Sequence, residues 1–262
     1  MLHSIFLRTL RERRLSTAIY CAALFGFALM FAVLYKEFVG ELEGVLDSFP
    51  ESMSAFLGDL SAASTPEGWL GIELFGLFLP IILAVVGVGF GASAIGREED
   101  EGTLELLLAS PVSRHKIFVQ KALAIAAQLG LVSLSVWLGV AVGSMFFDFD
   151  VSLGNVFFAC VSAWLLGLVF GFTALAVQSV TGKRAKGLGI GAGVVVVTYI
   201  ADVVSQLIDW LEFLKYVSPF YYFNELEILQ NGYNASMLVL LAVVVVLYVI
   251  AHGAFVKRDT GV

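Results

Sequence analysis

Four consecutive acids, Glu98, Glu99, Asp100 and Glu101, stand just before a leucine run, and Glu105 follows one turn later. Carboxylates this close together can hold a metal, exchange protons with a substrate, or pair with cations on another surface. A structural metal centre wants cysteine or histidine ligands at short, fixed spacings. Cys21 and Cys160 instead lie inside apolar runs, and His3, His115 and His252 are scattered, so they read as packing residues and chance surface histidines. Covalent catalysis needs a nucleophile placed beside a base, and no Ser–His pair is positioned for it. A phosphate-cradling G-x-x-x-x-G-K-[ST] loop is missing as well. A contact surface is the reading that remains, and lipid or a partner protein could cover it. The adjoining Leu104, Leu106, Leu107 and Leu108 strengthen it, since clustered exposed leucines mark a contact. The net charge of −7 argues against nucleic acid as that partner.

Two further groups carry polar chemistry. The turn Thr181 to Lys186 is tight and basic, with Gly182 followed by Lys183, Arg184 and Lys186, and makes a second contact candidate. Asp202 and Gln206, with Glu73 elsewhere, are polar side chains inside otherwise apolar runs. Ionisable groups at membrane depth are costly and often mark a pathway. Together with Pro219 and Phe220 they form the candidate substrate path or outer gate. Gln128 and Gln178 are additional polar positions within apolar runs.

The elements that position these groups follow from hydropathy. Hydrophobic residues make up 59% of the 262 and charged residues 14%, against roughly a quarter charged in a soluble domain. A spanning helix needs about 20 mostly apolar residues. Six runs qualify, at about 18–35, 69–95, 122–147, 156–180, 188–207 and 237–255. Within hydrocarbon each must be helical to satisfy its own backbone. The fold class is therefore all-α, one transmembrane domain over 1–262. All Lys and Arg except Lys36 and Lys215 fall in the N-terminal segment, the second and fourth connections and the C-terminal tail. The positive-inside rule then puts both termini in the cytoplasm of a multi-pass cell-membrane (plasma or inner membrane) protein.

Segment 1–16 has Leu2, Ile5, Phe6 and Leu10 on one helical face and Arg8, Arg11 and Arg14 off it, which predicts an amphipathic interfacial helix. The cytoplasmic loop 96–121 should contain a short helix from about Glu99 to Ala109, with acids at its positive end. Pro111 ends that helix and Ser113 caps the next. The outer loop 208–236 is rich in Tyr, Trp and Phe and should hold one or two short helices at headgroup level. Glycines at 87, 89 and 91, at 139 and 143, at 167 and 171, and at 187, 189, 191 and 193 have the spacing that lets helices approach closely in lipid.

The stretch Glu101-Gly102-Thr103-Leu104-Glu105, its leucine run, Ser110-Pro111-Val112-Ser113-Arg114 and Lys121 resemble the first cytoplasmic loop of ABC-2-type permeases, the membrane subunits of a class of ATP-binding-cassette transporters. Gln120 stands where many members have glycine. Tyr216-Val217-Ser218-Pro219-Phe220-Tyr221-Tyr222-Phe223 is a second match, and the six-span layout agrees. The resemblance implies an ABC-2 (type V exporter-like) permease fold and a non-enzymatic chain with no cofactor of its own. It implies two copies of a separate ABC ATPase that bind ATP and Mg. It also implies a second permease copy, as homodimer or related heterodimer, with the substrate path between them. Glu98, Glu99, Glu101, Gly102, Thr103, Leu104, Glu105, Leu107, Leu108, Pro111 and Arg114 would then form the ATPase-coupling element, joined by Gly182, Lys183 and Arg184. A charge-poor pathway suits export of an amphipathic, peptide or lipid-like compound. The competing classes are an ATP-independent channel or membrane assembly factor, which would show a polar ring along one span, and a membrane enzyme, which would show convergent acid/base groups at one depth.

Overall fold

The computed structural model describes residues 5–46, 64–108, 112–147 and 149–258, with the backbone alone at 41–46, 105 and 108. Among these the chain is helical and contains no strand. A short helix α1 (Ile5–Glu12) leads directly into α2 (Arg14–Leu46). Helix α3 spans Pro66–Asp100, then α4 covers Leu104–Leu108 and α5 Arg114–Phe146. Helices α6 (Leu153–Thr181) and α7 (Arg184–Leu207) follow. A 3-10 stretch Asp209–Val217, α8 (Pro219–Phe223) and α9 (Glu225–Asn231) precede α10 (Ser236–Lys257). Six of these, α2, α3, α5, α6, α7 and α10, are long and apolar enough to cross a membrane.

Helix α6 is the hub. It packs on α3, α5, α7, α9 and α10, and most of its side chains are buried, including Phe170, Leu166 and Leu175. Glycine makes the tightest of these contacts possible. A Cβ at Gly87 would overlap the Gly167 carbonyl, and one at Gly91 would overlap that of Gly171. The spacing of four on both helices therefore forms an intrachain seam in which two backbones touch, the arrangement small residues permit in lipid. A second seam joins α5 to α2, where a Cβ at Gly139 would lie 2.6 Å from the Phe25 oxygen. Gly89, Gly189 and Gly193 face open space. Helices α2, α7 and α10 bury only one face and turn Ile19, Val196, Val197, Val245 and Val249 outward.

Several boundaries depart from the hydropathy reading. Helices α2, α5 and α6 continue past their apolar windows because flanking polar residues extend the same hydrogen-bond ladder. The start of α3 is π-helical over Leu70–Phe78. There Gly71 and Gly76 lie one wide turn apart, and a Cβ at Gly76 would come to 2.5 Å from the Gly71 oxygen. Such π segments concentrate at functional sites. Helix α1 is docked rather than free. Phe6 N donates to Gln120 Oε1 of α5 at 3.0 Å, and Ile5 and Thr9 are buried. The glutamine that departs from the family pattern is thus the anchor of α1. Leu2 lies outside the described residues.

Candidate coupling surface and outer cavity

The acid run ends α3 instead of starting a new helix, a correction to the expected start at Glu99. Glu101 caps the helix. Gly102 then takes a left-handed backbone, φ 66°, which costs glycine nothing. Thr103 N donates to Glu98 O at 2.8 Å and Gly102 N to Glu99 O at 3.1 Å. These are the paired bonds of a Schellman closure, and they explain why Glu101-Gly102-Thr103 occurs in that order. The chain reverses and α4 starts at Leu104. Leu104 is buried and Leu107 packs on the core, but Leu106 is 75% exposed. The leucine cluster therefore splits into two anchors and one free knob. Pro111 lies outside the described residues, as do the side chains of Glu105 and Leu108. Ser113 caps α5, accepting from Lys116 N at 3.3 Å.

The acids themselves turn mostly inward. Glu98 pairs with Lys121 of α5, and both are nearly buried. Glu99 pairs with Arg258, just past α10, and accepts from Gln178 Nε2 of α6. Arg258 also donates to the Ser179 carbonyl at 3.1 Å, and its own carbonyl accepts from Arg114 at 2.8 Å. Burial pulls the Arg258 guanidinium below its usual range. Asp100 faces Arg184 of α7 at 3.8 Å, while Arg184 Nε donates to Ser93 Oγ at 3.0 Å. Glu101 pairs with Arg97 of its own helix at 2.7 Å on the exposed side. Gly182 closes α6 with φ 66°, leaving the space the Arg258 guanidinium occupies. Lys183 then starts α7 in an extended conformation. Three helices and the tail are thereby tied to the last turn of α3.

Sequence reasoning placed Lys121, Gln178 and Arg258 in separate roles and missed that they meet. The gap of 159 residues between Glu99 and Arg258 leaves no local pattern to read. It also missed a histidine pair. His115 Nδ1 and His252 Nε2 lie 2.8 Å apart, joining α5 to α10 beside Phe118 and Tyr248.

At the opposite end Asp202, Gln206 and Phe220 line one cavity of about 320 Å³ with Tyr199, Phe223, Glu225 and the π-helical Gly71 and Gly76. Gln206 donates to Asp202 at 3.0 Å. Pro219 does not line the cavity but opens α8, which carries Phe220. Asn224, left-handed at φ 41°, turns the chain into α9 so that Glu225 reaches the cavity. Burial raises the Glu225 carboxyl above the usual glutamate range. Glu73 does not line the cavity. Trp210, Phe213 and Tyr216 of the 3-10 stretch are exposed.

The sequence profile of the ABC-2 family transporter proteins matches residues 8–260, nearly the whole chain. The chain belongs to the ABC-2 transporter family. The uncharacterized membrane protein YdbK of Bacillus subtilis (strain 168) is 26% identical over 158 residues, which is 58% of this chain and 63% of YdbK. The chain thus matches less than two thirds of that relative's length. The six membrane-length helices make the chain a multi-pass membrane protein of that family.

Proposed function

We propose that this permease forms the substrate path of an ATP-driven exporter, working with a second permease copy and with two copies of a separate ATPase that bind ATP and Mg. Its basic end faces the cytoplasm. The observation that carries the reading is mechanical. Helix α4 presents Leu106 to the outside while Leu104 and the ion-paired collar fix it to α3, α5, α6, α7 and the tail. Leu106 fits an apolar cleft on the ATPase, and Glu101 and Glu105 meet basic residues on its rim. Lys183 and Arg184 form the second contact. A push on α4 moves the end of α3, and the glycine seam passes the motion to α6. At the far end α3 lines the cavity around Asp202 and Phe220 with Gly71, Gly76 and Pro80, and α6 packs Phe170 on Phe220. The cavity's aromatic and apolar lining with few charges fits an amphipathic, peptide or lipid-like cargo.

The test is co-purification of the tagged chain with its ATPase and measurement of ATP-driven transport in vesicles. Reversing charge at Glu101 and Glu105 should leave the permease in the membrane and uncouple ATP hydrolysis from transport. Normal transport in that variant would overturn the assignment of these acids.

A further inference from the structure

A groove of about 530 Å³ runs between α2 on one side and α3 with α7 on the other, at the basic end. Its rim is polar, with Glu12, Arg13, Ser16, Ser93, Arg97, Asp100 and Arg184. Its floor is apolar, with Val85, Val86, Phe90 and Leu188, and Gly89 leaves open space there. The rim acids are already engaged. Glu12 pairs with Arg8 at 2.8 Å, Glu101 with Arg97 at 2.7 Å, and Asp100 faces Arg184 at 3.8 Å. Arg13 is different. Among the described residues it has no carboxylate within ion-pair distance, and its guanidinium lies 5.1 Å above the Phe90 ring. Tyr20 meets the same ring edge-on at 6.3 Å. Burial pulls Arg13 down to about 10, the mark of a cation stripped of water.

A half-buried cation above an apolar trough matches an anion that carries a hydrocarbon tail. The surroundings favour lipid over a protein segment. Leu15, Ile19 and Val85 flank the groove at 72%, 58% and 61% exposure, and such a surface on a membrane helix meets acyl chains. We propose that the groove binds an anionic membrane phospholipid, with Arg13 meeting the headgroup phosphate and the acyl chain running past Gly89 and Val85. Ser16 and Ser93 hydroxyls and the Tyr20 phenol stand beside the headgroup as further donors. The groove shares Arg184 and Glu101 with the ATPase contact, but the proposal rests on Arg13, Gly89 and Phe90, which that contact does not use, and holds whether or not that contact is as described above. A bound lipid would wedge α2 against α3 at the end where the collar lies, so lipid composition would tune the bundle.

The shared chemistry is an anionic phosphate group, and the test separates lipid from free phosphate. The detergent-purified full chain is incubated with phosphatidylglycerol, phosphatidylcholine or glycerol phosphate, and bound adducts are counted by native mass spectrometry. Phosphatidylglycerol should bind in preference to phosphatidylcholine. Arg13→Gln should lower its occupancy about fivefold, the usual effect of one cation near a bilayer surface. Arg13→Lys should retain most of it, and Lys257→Gln, exposed at the same end, should change nothing. Gly89→Phe, which fills the floor without touching the cation, gives a second readout and should also reduce occupancy. Equal phosphatidylglycerol binding by the wild type, Arg13→Gln and Gly89→Phe would overturn the proposal. So would equal competition by glycerol phosphate, which would make the site one for free anions.

Discussion

The two ends of this permease handle charge in opposite ways. At the basic end each member of the acid run meets a cation, and three of the four partners come from different elements: Lys121, Arg258 and Arg184. At the far end Asp202 and Glu225 face a shared cavity with no cation at ion-pair distance among the described residues. The ion pair found in this region, Glu212 with Lys215, lies within one 3-10 stretch, and its carboxylate joins no second element. Cross-linked charge makes a rigid handle, because each partner that leaves strands another in a poor solvent. Unpaired carboxylates in a half-apolar cavity make a region that is cheap to rearrange. The arrangement suits a molecule pushed at one end and opened at the other.

The comparison breaks most readily at the seam that joins the two ends. Gly91→Leu drives a side chain into the α6 backbone and should cost more than about 3 kcal/mol, seen as loss of monodisperse protein in detergent. Gly89→Ala, two residues away on the open face, should stay within about 0.5 kcal/mol of the wild type. The next effect is in the collar. Glu99→Gln strands the Arg258 guanidinium and should cost about 3 kcal/mol, read as a lower Tm. Adding Arg258→Gln should recover part of that loss, because the stranded charge is gone. The equivalent cut at the other end, Glu212→Gln, should leave Tm nearly unchanged, since Glu212 is exposed and the pair joins neighbours on one stretch.

The smallest effect sharpens the contrast by pH. Burial raises the Glu225 carboxyl above its value in the unfolded chain. Its contribution is therefore complete below the ordinary glutamate range and is lost as pH rises through the raised folded value. Glu225→Gln should raise Tm relative to wild type at pH 7.5 and lose that advantage near pH 4. A constant difference across this range would mean that the carboxyl is not desolvated.

Much of this architecture is legible in the sequence, and the reasons differ by level. The six spans are visible because an apolar run of this length has few other uses in a folded chain. The close helix approaches are visible at Gly87, Gly91, Gly167 and Gly171, since spacing of four places small residues on one face. The chain reversal at Gly102 was hidden by the acids around it. They suit a helix start, yet the Schellman closure uses the same residues to finish one. The π-helical start of α3 was invisible because hydropathy carries no information on hydrogen-bond register. The His115–His252 contact and the Glu99–Arg258 pair join residues far apart in sequence, and each partner alone looks like an ordinary surface group. The cavity was half legible. Asp202 and Gln206 announced themselves as polar groups in an apolar run, whereas Glu225 hid in a polar loop until the turn at Asn224 brought it inward.

Leu106 is the most direct point of attack on the idea that α4 receives the ATPase at the cytoplasmic face. Leu106→Cys places a thiol on the exposed knob, while the native Cys21 and Cys160 lie within spans and Cys160 is buried. A membrane-impermeant maleimide is applied to sealed cells and to inside-out vesicles, with and without the ATPase. The account predicts labelling in inside-out vesicles only, with protection by the bound ATPase. Labelling of intact cells from outside, or labelling that the ATPase leaves untouched, would contradict it.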